Sequence, residues 1–356
     1  MERRKSREVK IGNVKIGAGN PIAVQSMTFT KTSDKEATLR QIKQLEEAGC
    51  DIVRFSVPDE DCAKSVPYLK EHANIPLVAD IHFNYRLALK CAEYGIDKIR
   101  INPGNIGDDD RVKAVADECR KRNIPIRIGV NGGSLEKHIL AKYGSPTPEA
   151  LCESALYHVS LLEKFDFHDI VVSIKSSDVH TTIEANRLFA ERTDYPIHLG
   201  VTEAGTERMG LIKSSIGLGS LLSDGIGDTM RVSLSDDVVK EVNAAKDILS
   251  ALGLRRGVRV ISCPTCSRCN INVFENAKKI EEIFRGKDMD LSIAVMGCAV
   301  NGPGEAREAD IGVAGGDGSA LLFRHGEIVG SIDADKIFEV LVSEAEKIAE
   351  AKKAEI

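Results

Sequence analysis

A chain of 356 residues is longer than one ordinary core, so a large domain accompanied by a smaller one is expected. A net charge of −6 and an aromatic content of 4% with no Trp exclude the basic footprint and stacking platforms of a nucleic-acid binder. No apolar run reaches membrane-span length, the first six residues lack the core of a signal peptide, and nine cysteines in that setting indicate a reducing cytoplasm.

In chain order, residues 8–19 read as a short hairpin turning at Gly12 and Asn13. A βα rhythm follows. Apolar runs fall at 22–27, 51–57, 76–81, 98–103, 125–131, 169–175, 196–203 and 227–234, and helical patterns lie between them at 34–48, 86–94, 108–122, 148–165, 181–193 and 207–222. Eight strands with intervening helices over roughly 250 residues match a TIM (β/α)8 barrel; a doubly wound sheet, the rival, seldom needs eight. The expected division is a barrel domain over 1–252 that includes the hairpin, a linker over 253–257 and a small α/β domain over 258–356. The second domain reads as strand 258–262, helix 273–285, strands 291–296 and 311–314, a hairpin over 318–332 and a closing helix 334–352.

In a barrel of this kind the chemistry sits where the strands finish. Those ends carry Arg54, Asp80 and His82, Arg100 and Asn102, Arg127 and Asn131, Lys175, Glu203, and Arg231 with Ser233. Five cations from five strands face few carboxylates there, and guanidinium forks suit the paired oxygens of phosphate. Mutual repulsion requires an anionic ligand, so the expected substrate is polyphosphorylated. Asn102, Asn131 and Ser233 add neutral donors. Asp80 and Glu203 are candidates for proton transfer, and His82 for donation to the anion. His198 lies within a strand and reads as a satisfied core histidine.

The second domain carries CPTCSRC at 263–269 and GCAVNGPGE at 297–305. Cys263 and Cys266, three apart across a proline turn, can direct two thiolates at one centre, and Cys298 closes it from a separate element. Cys269 is a fourth available sulfur, and the turn before Glu305 can return that carboxylate to the same place. The set suits a structural zinc ion or an iron–sulfur cluster. In a cluster, a hard carboxylate ligand on one iron would be exchangeable for a substrate oxygen. Cys50, Cys62, Cys91, Cys119 and Cys152 stand singly in apolar or helical contexts and read as small buried hydrophobes.

The runs ISCPTC (261–266), MGCAVNGPGEA (296–306), KIRINPGN (98–105), PIAVQSM (21–27) and IGVNGGS (128–134) together resemble the 4-hydroxy-3-methylbut-2-enyl diphosphate synthase (IspG/GcpE) family over nearly the whole chain. The resemblance implies a TIM barrel joined to a 4Fe–4S domain in the non-mevalonate isoprenoid pathway. It implies reductive ring opening of 2-C-methyl-D-erythritol 2,4-cyclodiphosphate with loss of water. Electrons would come singly from flavodoxin or ferredoxin. By matching motifs it implies Cys263, Cys266, Cys298 and Glu305 as cluster ligands. Arg54, Arg100, Asn102, Arg127, Asn131, Lys175, Arg231 and Ser233 would form the substrate-binding ring, with Glu203 managing protons at the leaving hydroxyl. It further implies a head-to-tail homodimer, which a linker of about five residues fits because the small domain could hardly fold back over its own barrel. Cys269 departs from the family pattern, which leads us to expect another residue there; with Glu305 retained, Cys269 is expected to be a bystander. The competing functional expectation is a non-redox barrel enzyme similar to dihydropteroate synthases, with a zinc-bearing tail.

Overall fold

The computed structural model describes residues 2–287, 289–300, 304 and 307–354. The chain divides into two compact units, residues 1–248 and 249–356, with the division falling inside the helix Val238–Ala251.

In the first unit a hairpin of β1 (Val9–Ile11) and β2 (Val14–Ile16) turns at Gly12, whose φ of 56° lies in the left-handed region. Eight parallel strands follow: β3 (Ala23–Met27), β4 (Ile52–Ser56), β5 (Leu77–Asp80), β6 (Lys98–Ile101), β7 (Ile126–Asn131), β8 (Ile170–Lys175), β9 (His198–Leu199) and β10 (Thr229–Met230). Their hydrogen-bonded order is β8-β7-β6-β5-β4-β3-β10-β9. A parallel bridge between Val172 and Ile197 brings the two ends together, so the sheet closes as a barrel. The strands are almost continuously buried, as parallel strands covered by helices must be.

Side-chain caps set the helix starts. Asp34, Asp59, Asn84, Asp108, Thr147 and Asp178 each accept a backbone N–H from the first turn of the helix that follows. The strands β3, β4, β5 and β8 thereby pass through a loop directly into a capped helix. Two helices between β4 and β5 (Glu60–Lys64 and Val66–His72) and one after β7 (Lys137–Tyr143) were not expected from periodicity. Each spans seven residues or fewer, too little for a 3.6-residue pattern to declare itself.

Residues two apart along a strand share a face, so the barrel interior is layered. Val9, Ile11 and Ile16 of the hairpin pack with Ala23, Ile52, Val78 and Val171, forming an apolar floor at the N-terminal end. Gln25, Lys98, His198 and Thr229 form a polar middle, all of them buried. The charged strand ends stand above.

The second unit is a five-stranded sheet of β11 (Val258–Ser262), β12 (Leu291–Met296), β13 (Ile311–Gly315), β14 (Ser319–Arg324) and β15 (Glu327–Asp333), ordered as numbered. The first three are mutually parallel and the last two antiparallel. Helices Val273–Phe284 and Ile337–Ala354 pack Val273, Ile280, Phe284, Ile337 and Leu341 onto Leu291, Ile293, Val295, Ile311 and Val313. Among the described residues, no helix is long and apolar enough to cross a membrane.

Candidate functional site

At the C-terminal ends of the barrel strands lies a cavity of about 160 Å³. Its wall includes Arg54, Asp80, His82, Arg100, Arg127, Asn131, Lys175, Arg231 and Ser233, so the fold gathers nine of the expected residues around one space. The parallel pairing places Asp80 beside Arg100 and Arg100 beside Arg127.

Two carboxylates organise the cations. Asp80 is buried and receives Arg100 at 3.1 Å and Arg54 at 3.7 Å. Burial acts to raise its carboxyl, but Arg54, Arg100 and Arg127 outweigh that and hold it below the usual range. Glu241, in the helix after β10, takes both ends of the Arg231 fork at 3.1 Å each and also accepts the Leu234 N–H and the Ser26 hydroxyl. Met27 supplies a soft acceptor: its sulfur receives Arg54 at 2.8 Å and Arg231 at 3.6 Å.

Arg127 and Lys175 have no such relief among the described residues. Arg127 is buried, with Nε and one terminal nitrogen lacking a partner among the described residues. Burial lowers Arg54 to about 10, which leaves it cationic at neutral pH. Burial, then Arg127, Arg54, Arg231 and Arg100, push the Lys175 ammonium well below its ordinary range. Buried, unpaired donors converging on one space are what an anion would satisfy.

Two glycines make room for these side chains. A Cβ on Gly129 of β7 would stand 2.5 Å from both Nε and a terminal nitrogen of Arg100, and one on Gly200 would collide with the Lys175 ammonium. Gly129, Gly200 and Glu241 were missed in the sequence reading. The glycines share a face with Arg127 and His198 by two-residue spacing, and Glu241 interrupts the apolar stripe of Val238, Val242, Ala245 and Leu249.

Two expected residues stand outside the cavity wall. Asn102 is buried, and its side-chain oxygen accepts the Gly104 N–H, capping the turn Pro103–Ile106. Glu203 is exposed in the loop after β9, with a φ of 51°. That left-handed conformation costs a glutamate roughly 1 kcal/mol. His198 differs from expectation: it shares a 2.7 Å hydrogen bond with Thr229, but its Nε2 has no partner among the described residues.

In the second unit β11 and β12 run parallel with Ser262 beside Val295, so Cys263 and the pair Gly297-Cys298 emerge at the same end of the sheet. The Gly297 N–H donates to the Cys263 sulfur at 3.1 Å. Cys266 is exposed, and its thiol is held below the ordinary range, first by the Arg268 backbone N–H, while Cys298 acts in the opposite sense. An amide donating to sulfur, a depressed thiol and a third thiol close enough to be felt are features a thiolate-held metal centre uses. Among the described residues, no three potential ligands form a ready-made metal site. Glu305 lies outside the described residues. Cys269 turns inward, its thiol donating to the Ile271 carbonyl at 3.1 Å and packing so tightly on Gly297 that a Cβ there would lie 2.6 Å from its sulfur. The five other cysteines are all buried, and burial pushes the thiols of Cys91 and Cys119 up to about 12.

Comparison with known proteins covers both units. Residues 6–246 match the model of the GcpE TIM-barrel domain, and residues 259–347 that of the GcpE protein C-terminal domain. A relative from Caldanaerobacter subterraneus subsp. tengcongensis, named 4-hydroxy-3-methylbut-2-en-1-yl diphosphate synthase (flavodoxin), is 58% identical over 97% of this chain and 98% of its own. A Clostridium perfringens protein of the same name is 55% identical over 98% of this chain and all of its own. Among solved structures, 3-dehydroquinate dehydratase from Geobacillus kaustophilus aligns with a TM-score of 0.53 at 14% identity, covering 71% of this chain and 98% of its own. Dihydropteroate synthase from Xanthomonas albilineans aligns with a TM-score of 0.50 at 14% identity over 70% of this chain and 97% of its own. Those two share the barrel fold alone. Likeness across both the barrel and the cysteine-bearing sheet, at more than half identity over nearly full length, places this chain in the GcpE family.

Proposed function

We propose that this chain is a flavodoxin-dependent oxidoreductase that opens the ring of 2-C-methyl-D-erythritol 2,4-cyclodiphosphate and dehydrates it to 4-hydroxy-3-methylbut-2-enyl diphosphate. The observation that carries the reading is the excess of cations over carboxylates around the barrel cavity among the described residues, with Arg127 buried and Arg54, Arg100, Lys175 and Arg231 partly so. A cyclic diphosphate supplies the negative charge these groups lack. The alternative of a non-redox enzyme with a zinc tail is not favoured, because the full-length relatives are named as flavodoxin-dependent synthases.

In this reading Arg54, Arg100, Arg127, Lys175 and Arg231 bind the two phosphates, with Asn131 and Ser233 as neutral donors. Asn102 shapes the adjoining turn from beneath. The reaction takes up two electrons, breaks a ring C–O bond to leave the phosphate on the product, and expels a hydroxyl as water. Asp80 stays ionised among its arginines and holds Arg54 and Arg100 in place. Glu203 and His82, nearer solvent, are the candidates to deliver the proton that leaves with the hydroxyl.

Cys263, Cys266 and Cys298, with Glu305 as fourth ligand, would hold a 4Fe–4S cluster. Once bound, it supplies single electrons and a Lewis-acidic iron corner. Cys269, hydrogen-bonded inward, is left out of the set. A head-to-tail homodimer in the cytoplasm, one protomer's cysteine domain serving the other's barrel, completes the proposal. The test is anaerobic iron and sulfide analysis together with turnover of the cyclic diphosphate under a strong reductant. A colourless protein containing only zinc, inert toward that substrate, would overturn it.

A further inference from the structure

Beneath the cationic cavity lies a polar layer that the reading above does not use. Lys98 and Arg100 are two residues apart on β6, so Lys98 faces inward one level below. It is wholly buried, and its sole hydrogen bond among the described residues is a long one, 3.5 Å, to the side-chain oxygen of Gln25 on β3. No carboxylate among the described residues lies within ion-pair reach. The amide nitrogen of Gln25 and Nε2 of His198 are also buried without partners. The charged groups acting on Lys98 are Arg127 from β7 and Arg54 from β4; His198 faces the layer from β9, and the floor below is apolar. Arginine does not release its proton, so repulsion in the empty barrel can be relieved only at lysine.

We infer that Lys98 is a positioning residue for the anion cavity, and that an anion bound above draws a proton from solvent onto its Nζ. The inference rests on the anion-binding reading of the cavity. Burial and the neighbouring arginines favour the neutral amine when the cavity is empty. An arriving anion offsets Arg127 and Arg54, so the ammonium becomes tolerable and in turn strengthens the field holding the anion. The proton comes from buffer and no redox partner is needed. Lys175 stands in the same field and would share in the uptake from buffer, so removing Lys98 lowers the uptake without abolishing it.

Sulfate is a suitable probe because it carries two charges and does not titrate near neutrality. The anaerobically purified full-length protein is titrated with sulfate calorimetrically at pH 7 in two buffers of differing ionisation enthalpy. Buffer-dependent heat showing proton uptake is expected. Lys98→Met should reduce the uptake, weaken sulfate by about fivefold or more and flatten the loss of affinity as pH rises. If Lys98→Met does not fold, Lys98→Gln serves in its place. Binding with identical heats in both buffers overturns the inference, as does uptake unchanged in the variant. Failure of sulfate to bind at all overturns instead the anion-cavity reading on which it rests.

Discussion

Gly129→Ala separates substrate positioning from folding. The added Cβ would stand 2.5 Å from two Arg100 nitrogens and 2.9 Å from the guanidinium carbon. Ordinary contact is about 3.5 Å, so the guanidinium must retreat by about 1 Å. The moving atoms are the free end of a flexible side chain, and Gly129 does not have a positive φ, so stability should change by no more than about 1 kcal/mol. The displacement falls instead on the 3.1 Å contact with Asp80 and on the edge that Arg100 presents to the cavity. A misplacement of about 1 Å in a binding clamp costs on the order of a hundredfold, which is about 2.7 kcal/mol of transition-state stabilisation. Anaerobic turnover of the cyclic diphosphate gives kcat/KM, and thermal unfolding gives stability. A variant within about threefold of wild type in kcat/KM would refute the claim that Gly129 exists to seat Arg100. A variant that simply unfolds would refute the claim that the collision is confined to the guanidinium.

Glu241→Ala should destabilise the barrel unit by about 3–5 kcal/mol, because it strips a half-buried Arg231 of a two-pronged partner; a loss under about 1 kcal/mol in denaturant unfolding would contradict this. Cys269→Ser should keep its iron, sulfide and turnover, whereas Cys263→Ser should lose all three, and equal losses in the two variants would return Cys269 to the ligand set. Glu305→Ala should retain most of its iron yet lose turnover; full activity would show that the carboxylate is dispensable. Asp80 has a folded-state carboxyl below its unfolded value of about 3.9, so its contribution is complete above that pH and lost as pH falls through the depressed folded value. The stability gap between wild type and Asp80→Asn should therefore be constant near neutrality and narrow only in strong acid, and a gap that closes between pH 5 and 8 would sink the assignment.

The barrel was legible because its strands are apolar runs bounded by capped helices, and both periods are strong over such lengths. The cationic mouth was legible for a related reason, since strand ends are where a parallel barrel points its side chains. Asn102 and Glu203 passed the same test but stand apart from the wall. Asn102 spends its oxygen on Gly104 as a cap, and Glu203 follows a β9 of only two residues, whose loop turns through a left-handed backbone. Gly129 and Gly200 escaped notice because what matters is an absent Cβ, visible only when its neighbour's side chain is in place. Glu241 sits one turn into a helix rather than on a strand, so reading only strand ends passed it over. At the cysteine sheet, spacing led to the expectation that the thiols converge, the parallel register of β11 and β12 brings Cys263 and Cys298 to one end, and the inward turn of Cys269 depends on Gly297, which only the packing reveals.

The three interior layers have opposed requirements, which explains their order. An apolar floor closed by the hairpin excludes water from below, so charges above it are poorly solvated and act on one another strongly. Among the described residues, five cations around the cavity are met by two carboxylates, and Asp80 and Glu241 are each shared among groups that hold the arginines rather than neutralise the space. Adding carboxylates would stabilise the empty protein and abolish the attraction for a diphosphate. Removing the two present would leave the forks without direction. The observed balance is therefore a compromise in which folding tolerates an excess of positive charge that the ligand later offsets, and ligand binding should raise thermal stability by mass action. The size of that effect distinguishes the arrangement from a barrel whose cations are merely solvated at a rim, where an anion would change stability little.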